Sequence, residues 1–159
     1  ILITGIGNIG KSTLRSKVAK SVPGAVQVDR DYSSEPPSMV GEGKVLLVES
    51  VHGLEQNPET FDLIVYLLPP PLHFWRWFKR GWAWWRLGIV DLSDPKGTRR
   101  PFALRNVPLI LGIVLRNIVH ARRWIREDLT ILKGRNLMAK TWVGYPNEAF
   151  EFLIKRLSP

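Results

Sequence analysis

The sequence predicts an α/β fold in three layers, a parallel sheet with helices on both faces, built as one domain over residues 1–159. Three observations predict it. Short apolar runs alternate with helical stretches or long connections. The first run enters a glycine-rich loop that leads straight into a helix. After the fourth run a basic, tryptophan-rich segment, about 71–127, interrupts the alternation as an insertion would.

The elements follow in order. Ile1 to Ile3 suits a buried strand, and ILITGIGNIGKST continues it into Gly5-x-x-x-x-Gly10-Lys11-Ser12 and a helix ending at Ser21, stopped by Val22-Pro23-Gly24. Strand, loop and helix in that order with that spacing are the P-loop pattern. Its glycines let backbone N–H groups turn inward around phosphate oxygens, and the helix points its positive end at the same anion. The loop residues expected to bind nucleotide are Gly5, Gly7, Asn8, Ile9, Gly10, Lys11, Ser12 and Thr13. Lys11 can reach the β- and γ-phosphates of ATP, and the Ser12 hydroxyl can ligate Mg²⁺. Gly5, Gly7 and Gly10 also fit a dinucleotide loop. Against that stand the Lys-Ser-Thr that follows, the ambiguous match of Asp29 or Asp31 to the acidic residue about 20 positions on, and the insertion downstream.

Ala25 to Val28 reads as a second strand running into Asp29-Arg30-Asp31, Lys44 to Val48 as a third ending at Glu49-Ser50, and Phe61 to Leu68 as a fourth closed by three prolines. In a parallel sheet ligands bind beyond the carboxyl ends of the strands. Asp29, Asp31 and Glu49 all fall there. One carboxylate could accept a proton from an attacking hydroxyl and another hold Mg²⁺ directly or through water. The plainer reading of Asp29 and Asp31 is a turn start.

From Gly5 to Asp31 the chain resembles P-loop small-molecule and polynucleotide kinases, and in particular the kinase part of phage-type polynucleotide 5′-hydroxyl kinases. In that family Gly-Lys-Ser-Thr is followed by a helix, a Pro-Gly, a short strand and an Asn-Arg-Asp. Gly10-Lys11-Ser12-Thr13, Pro23-Gly24 and Asp29-Arg30-Asp31 match it at equal spacing. The resemblance implies that Asp31 is the general base, with Asp29 its runner-up. VLLVES, ending in Glu49, resembles the apolar strand and acidic end of uridine-kinase-like enzymes, which implies a metal or water ligand there. It further implies a helical lid after the fourth strand whose arginines, Arg76 and Arg80 first, offset charge on the transferring phosphoryl group. Ser34 stands where the polynucleotide kinases carry an Arg, so their hold on the acceptor phosphate is not matched.

The insertion begins as WRWFKRGWAWW, five of eleven residues Trp. Trp75, Phe78, Trp82 and Trp85 recur on one helical face of Leu72–Leu87. A loop is expected over 88–101 and a second helix from about Phe102 to Arg126. Four roles suit the aromatics: packing on the core or on the second helix, stacking of unpaired bases, a membrane surface, or a protein partner. Leu129–Leu132 and Leu137–Val143 both read as strands, the second as the fifth of the sheet. Gly144-Tyr145-Pro146-Asn147 reads as a turn with Asn147 as N-cap, near an adenine or simply joining strand to helix, and Glu148–Leu157 as a closing helix.

Charge and composition set the class of partner. Between His73 and Arg126 there are 12 Lys or Arg against 2 acidic residues, while the rest holds 11 basic and 12 acidic, so the net charge of +9 is local to the insertion. Such a field attracts phosphates on nucleotides, nucleic acid or lipid. There is no Cys, hence no disulfide and no thiolate metal site. No apolar run reaches transmembrane length. ILITG shows no signal peptide, so a cytoplasmic protein, or one peripheral to a membrane, is expected. The absent initiator Met leads us to expect residues ahead of Ile1. The function expected is phosphoryl transfer from ATP, with Mg²⁺, to a nucleoside, nucleotide or nucleic-acid 5′-hydroxyl. The alternatives are a P-loop NTPase acting as a switch or assembly protein, and a membrane-surface kinase with a lipid-type acceptor.

Overall fold

The computed structural model describes residues 1–7, 9–29, 44–55, 57–70, 73–87, 89–90, 99–100 and 107–157. In chain order its elements are β1 (Leu2–Thr4), α1 (Lys11–Ser21), β2 (Val26–Asp29), β3 (Leu46–Glu49), β4 (Ile64–Leu67), α2 (His73–Leu87), β5 (Ile89–Val90), β6 (Arg99–Arg100), α3 (Val107–Gly134), β7 (Thr141–Gly144) and α4 (Pro146–Leu157), with 3₁₀ turns at Pro58–Thr60 and Met138–Lys140. The chain divides into two compact units, Ile1–Pro70 with Arg123–Pro159, and Pro71–Arg122.

The first unit is α/β, with a five-stranded sheet in the order β2-β3-β1-β4-β7. Every pairing in it is parallel. Its central strands are apolar on both faces because both faces are covered. Leu2, Val48, Ile64 and Tyr66 share one face with Leu132 and Leu137, and Ile125 and Leu129 pack against that cluster. Ile3, Leu47, Val65 and Leu67 alternate to the other face, where α1 buries Leu14 and Val18 and packs beside α4, which buries Ala149 and Leu153. Each such aliphatic side chain taken fully out of water contributes about 1.5–3 kcal/mol. β7 is keyed to α4 by Trp142 stacked on Phe152, ring centroids 5.3 Å apart.

The connection leaving β1 runs toward the β2 side of the sheet, and that leaving β3 runs toward the β4 side. The two therefore part company between β1 and β3. That is the switch point at which α/β sheets open a crevice beyond their strand ends.

Several boundaries differ from the sequence reading. Leu129–Leu132 is not a strand but the end of α3; Ile125, Leu129 and Leu132 stand at helical spacing and all face the core. Only Thr141–Gly144 of the expected fifth strand is extended, after the 3₁₀ turn. The cap of α4 is not Asn147. Pro146 opens the helix, and the Glu148 carboxylate reaches back to accept the Tyr145 N–H at 3.1 Å, one half of a capping box. Within the expected loop, β5 and β6 form a short antiparallel pair.

A partly buried polar pair ties α3 to the sheet. The Tyr66 hydroxyl donates to Asp128 Oδ2 at 2.7 Å. Burial pushes the Asp128 carboxyl above the ordinary carboxylate range; the Tyr66 hydrogen bond opposes this, Glu55 and Glu127 add to it, and His52 opposes it. A carboxyl raised in the fold favours the folded state in acid and costs stability as pH rises through its raised value. Tyr66→Phe removes the donor that favours the ionised form. It is expected to cost about 1–3 kcal/mol at neutral pH. The loss should shrink in acid, where Asp128 is protonated in either protein. Urea denaturation at both pH values checks it, and an equal loss at both would contradict it.

In the second unit the aromatic face of α2 is turned the other way from the packing reading. Trp75, Phe78 and Trp82 are exposed, Trp75 at 55 % and Trp82 at 61 %, while Trp77 is 6 % exposed. Periodicity shows which residues share a face, not what that face meets; here Trp77 and Gly81, about 90–130° round from the middle of that face, are buried.

Candidate functional site

β1 ends at Thr4 in the middle of the sheet, and the chain turns at once. Gly5 has φ +126°, and a Cβ there would lie 2.6 Å from Leu67 O and 2.8 Å from Ile9 Cδ1. Glycine is required on both counts. Gly10 takes φ 108° and caps α1 without a side chain to satisfy the first-turn N–H groups. That turn holds no acidic residue either. A helix start with neither a side-chain cap nor an acidic first turn favours an anion. Ile9, fully buried, pins the loop from below.

Lys11 is the first residue of α1, yet only 4 % exposed. Its Nζ donates to Gly5 O at 3.0 Å and Ile6 O at 2.9 Å. The ammonium thus sits inside the loop, held by two neutral carbonyls. Charged acceptors bind such a donor more strongly than carbonyls do, so an entering phosphate oxygen can take over those hydrogen bonds.

The second half of the site comes from β3. In the parallel register Ile3 pairs with Glu49, which brings the acidic end of β3 beside the loop. Glu49 is 6 % exposed. The Ser12 hydroxyl donates to Glu49 Oε1 at 2.7 Å, and Arg15 Nη1 lies 3.4 Å from Glu49 Oε2. One carboxylate therefore holds two residues of α1's first turns. Beyond it, Ser50 is buried, and its Oγ accepts the His52 N–H at 3.1 Å, which turns the chain away from the sheet edge.

The residues picked out in the sequence fall into four sets. Gly5, Lys11, Ser12 and Glu49 are brought together, with Gly7, Ile9, Gly10 and Thr13 on the same loop and helix start. Asp29 ends β2 in register with Glu49, so their backbones are neighbours about 4.8 Å apart across the ladder. Asn8 and Asp31 lie outside the described residues. Arg76, exposed, and Arg80, one turn on, belong to α2 of the second unit. Arg15 was missed. Its signal was available, since it stands three residues after Ser12 and so on the same side of α1.

Ser12 and Glu49 are hard oxygen donors, the type that Mg²⁺ takes from a protein when phosphates complete its shell. The donor set thus fits that ion. No protein-family model, curated protein or solved structure matches this chain.

Proposed function

We propose that the chain is an ATP- and Mg²⁺-dependent phosphotransferase with a three-layer P-loop kinase fold. In this reading the first unit binds nucleotide and the second is a basic, Trp-rich helical lid. The observation that carries it is the buried Lys11 ammonium inside a glycine loop, one residue from a hydroxyl bonded to the acidic end of the neighbouring strand. An anion seat, a buried ammonium donor and a hard-oxygen pair in that order suit a nucleoside triphosphate with its cation.

The loop N–H groups and Lys11 would hold the β- and γ-phosphates, and Ser12 and Glu49 the cation. Mg²⁺ bound there would neutralise charge between the phosphates. Asp31, or Asp29, would take the proton of the acceptor hydroxyl as its oxygen bonds to the γ-phosphorus. The bond from that phosphorus to the β–γ bridging oxygen breaks, and ADP leaves. Arg76 and Arg80 would offset charge on the group in flight. The acceptor class proposed is a nucleoside, nucleotide or nucleic-acid 5′-hydroxyl, on the match of Asp29-Arg30-Asp31 in the sequence.

The test is transfer from γ-labelled ATP to a panel of 5′-hydroxyl oligonucleotide, nucleosides, nucleoside monophosphates and a lipid extract. Label on one acceptor class, reduced on the order of 10²–10⁴-fold by Asp31→Asn, supports the reading. ATP hydrolysis with no labelled acceptor points to a switch or assembly NTPase instead.

A further inference from the structure

We propose that the second unit docks on an anionic phospholipid surface through the exposed sides of α2 and α3. The inference rests on residues of the segment His73–Arg126 and does not depend on phosphoryl transfer.

On α2, Trp75, Phe78 and Trp82 are exposed and fall within an arc of about 60° at the helical advance of 100° per residue. Trp75 and Phe78 touch as tilted rings, centroids 6.0 Å apart. Arg76 and Lys79 are exposed beside them, and α2 contains no acidic residue. On α3, Leu111, Leu115 and Val119 are exposed at i, i+4 and i+8, Val119 at 71 %. Arg122 and Arg126 continue that stripe. The buried Val114 and Ala121 lie off it. From Val107 to Arg126 the helix carries no Asp or Glu.

The mixture of side chains decides between partners. Single-stranded nucleic acid would use the tryptophans and arginines, since bases stack on aromatic rings, but it has no use for a row of exposed Leu and Val. A lipid surface uses all three kinds. Aliphatic and aromatic groups enter the boundary between headgroups and acyl chains, Trp sits at headgroup level, and Arg and Lys meet the phosphates. The net charge of +10 across His73–Arg126 complements an anionic leaflet. Among the described residues no helix is long and apolar enough to cross a membrane, so the contact is with the surface.

The test is co-sedimentation of the whole chain with vesicles of neutral phosphatidylcholine, with and without anionic phosphatidylglycerol. Tryptophan emission is followed in parallel. Partition is expected on the anionic vesicles only, with a blue shift and a decline as salt rises. Trp75→Gln with Trp82→Gln should lower the partition roughly tenfold or more, and Leu115→Gln with Val119→Gln by a similar factor. Arg122→Gln with Arg126→Gln should lower it about 5-fold per charge. All these positions are exposed, and far-UV circular dichroism checks that helicity is kept. No partition on anionic vesicles at low salt would overturn the proposal. So would partition that ignores both apolar pairs, since that is charge alone. Tight single-strand oligonucleotide binding lost in Trp75→Gln, without vesicle partition, would assign the surface to bases. A concentration-dependent dimer that loses the blue shift would assign it to a second copy of the chain.

Discussion

Lys11→Met should abolish useful phosphoryl transfer, lowering kcat/KM on the order of 10²–10³-fold. The substitution keeps the unbranched stem and removes the ammonium. Two effects then act in opposite states of the site. Without nucleotide, Gly5 O and Ile6 O lose their charged donor inside a buried loop. That costs about 1–3 kcal/mol of stability. With nucleotide, the phosphates lose the ammonium held against the loop carbonyls, and binding weakens by roughly 10–100-fold. Calorimetric titration with a non-hydrolysable ATP analogue reads the second effect, and denaturation of the apoprotein reads the first. Lys11→Arg is not expected to rescue either, because the planar guanidinium is a rigid fork that prefers a bidentate carboxylate or phosphate partner, whereas the ammonium is a compact point charge. An unchanged nucleotide affinity in Lys11→Met would remove the basis for the proposed function.

Glu49→Gln is the second large effect, and its signature is a change of sign. Gln keeps the size and still offers Ser12 an acceptor oxygen, so the 2.7 Å contact can persist. The negative charge is gone. The Mg²⁺ concentration needed for half-maximal nucleotide binding should rise by about 10–100-fold. Without metal the same variant should bind ATP at least as well as wild type, because one negative charge beside the phosphates has been removed. Arg15 loses its counter-ion, so the apoprotein should also be less stable by about 1–3 kcal/mol. A purely structural Glu49 would give the stability loss and no separation between the metal-bound and metal-free affinities.

How much of this was legible in the sequence depends on the range over which each feature is fixed. The glycine loop and α1 were readable because Gly5, Gly10, Lys11 and Ser12 act on one another within a few residues. The parallel sheet was readable as a class, since apolar runs separated by long connections admit little else. Its order was not, because β1 meets β3 and β4 through residues dozens of positions apart. The end of α3 was misread as a strand: Leu-Thr-Ile-Leu is short and rich in β-branched residues, and its helical period shows only when Ile125 is included. The tryptophan face was found, and its environment was not. Arg15 escaped notice because its place three residues after Ser12 marks the right side of α1, but only the fold brings it an acid from a strand thirty-odd positions on.

The register of β4 with β7, Ile64 opposite Thr141 and Leu67 opposite Gly144, has a kinetic consequence. The strands β1, β2, β3 and β4 all precede the second unit in the chain, so they can assemble without it. The fifth can pair only after the whole second unit has been looped out and its ends brought together. At equilibrium that is a small burden, since each doubling of a flexible connection adds only about 0.6 kcal/mol of closure entropy. In time it is a large one, because distant pairings slow folding. The molecule should therefore tolerate a shortened or lengthened second unit with little loss of stability. Until β7 arrives, β4 is the open edge of a half-built sheet, and that interval is when the chain is most exposed to pairing with its neighbours during synthesis.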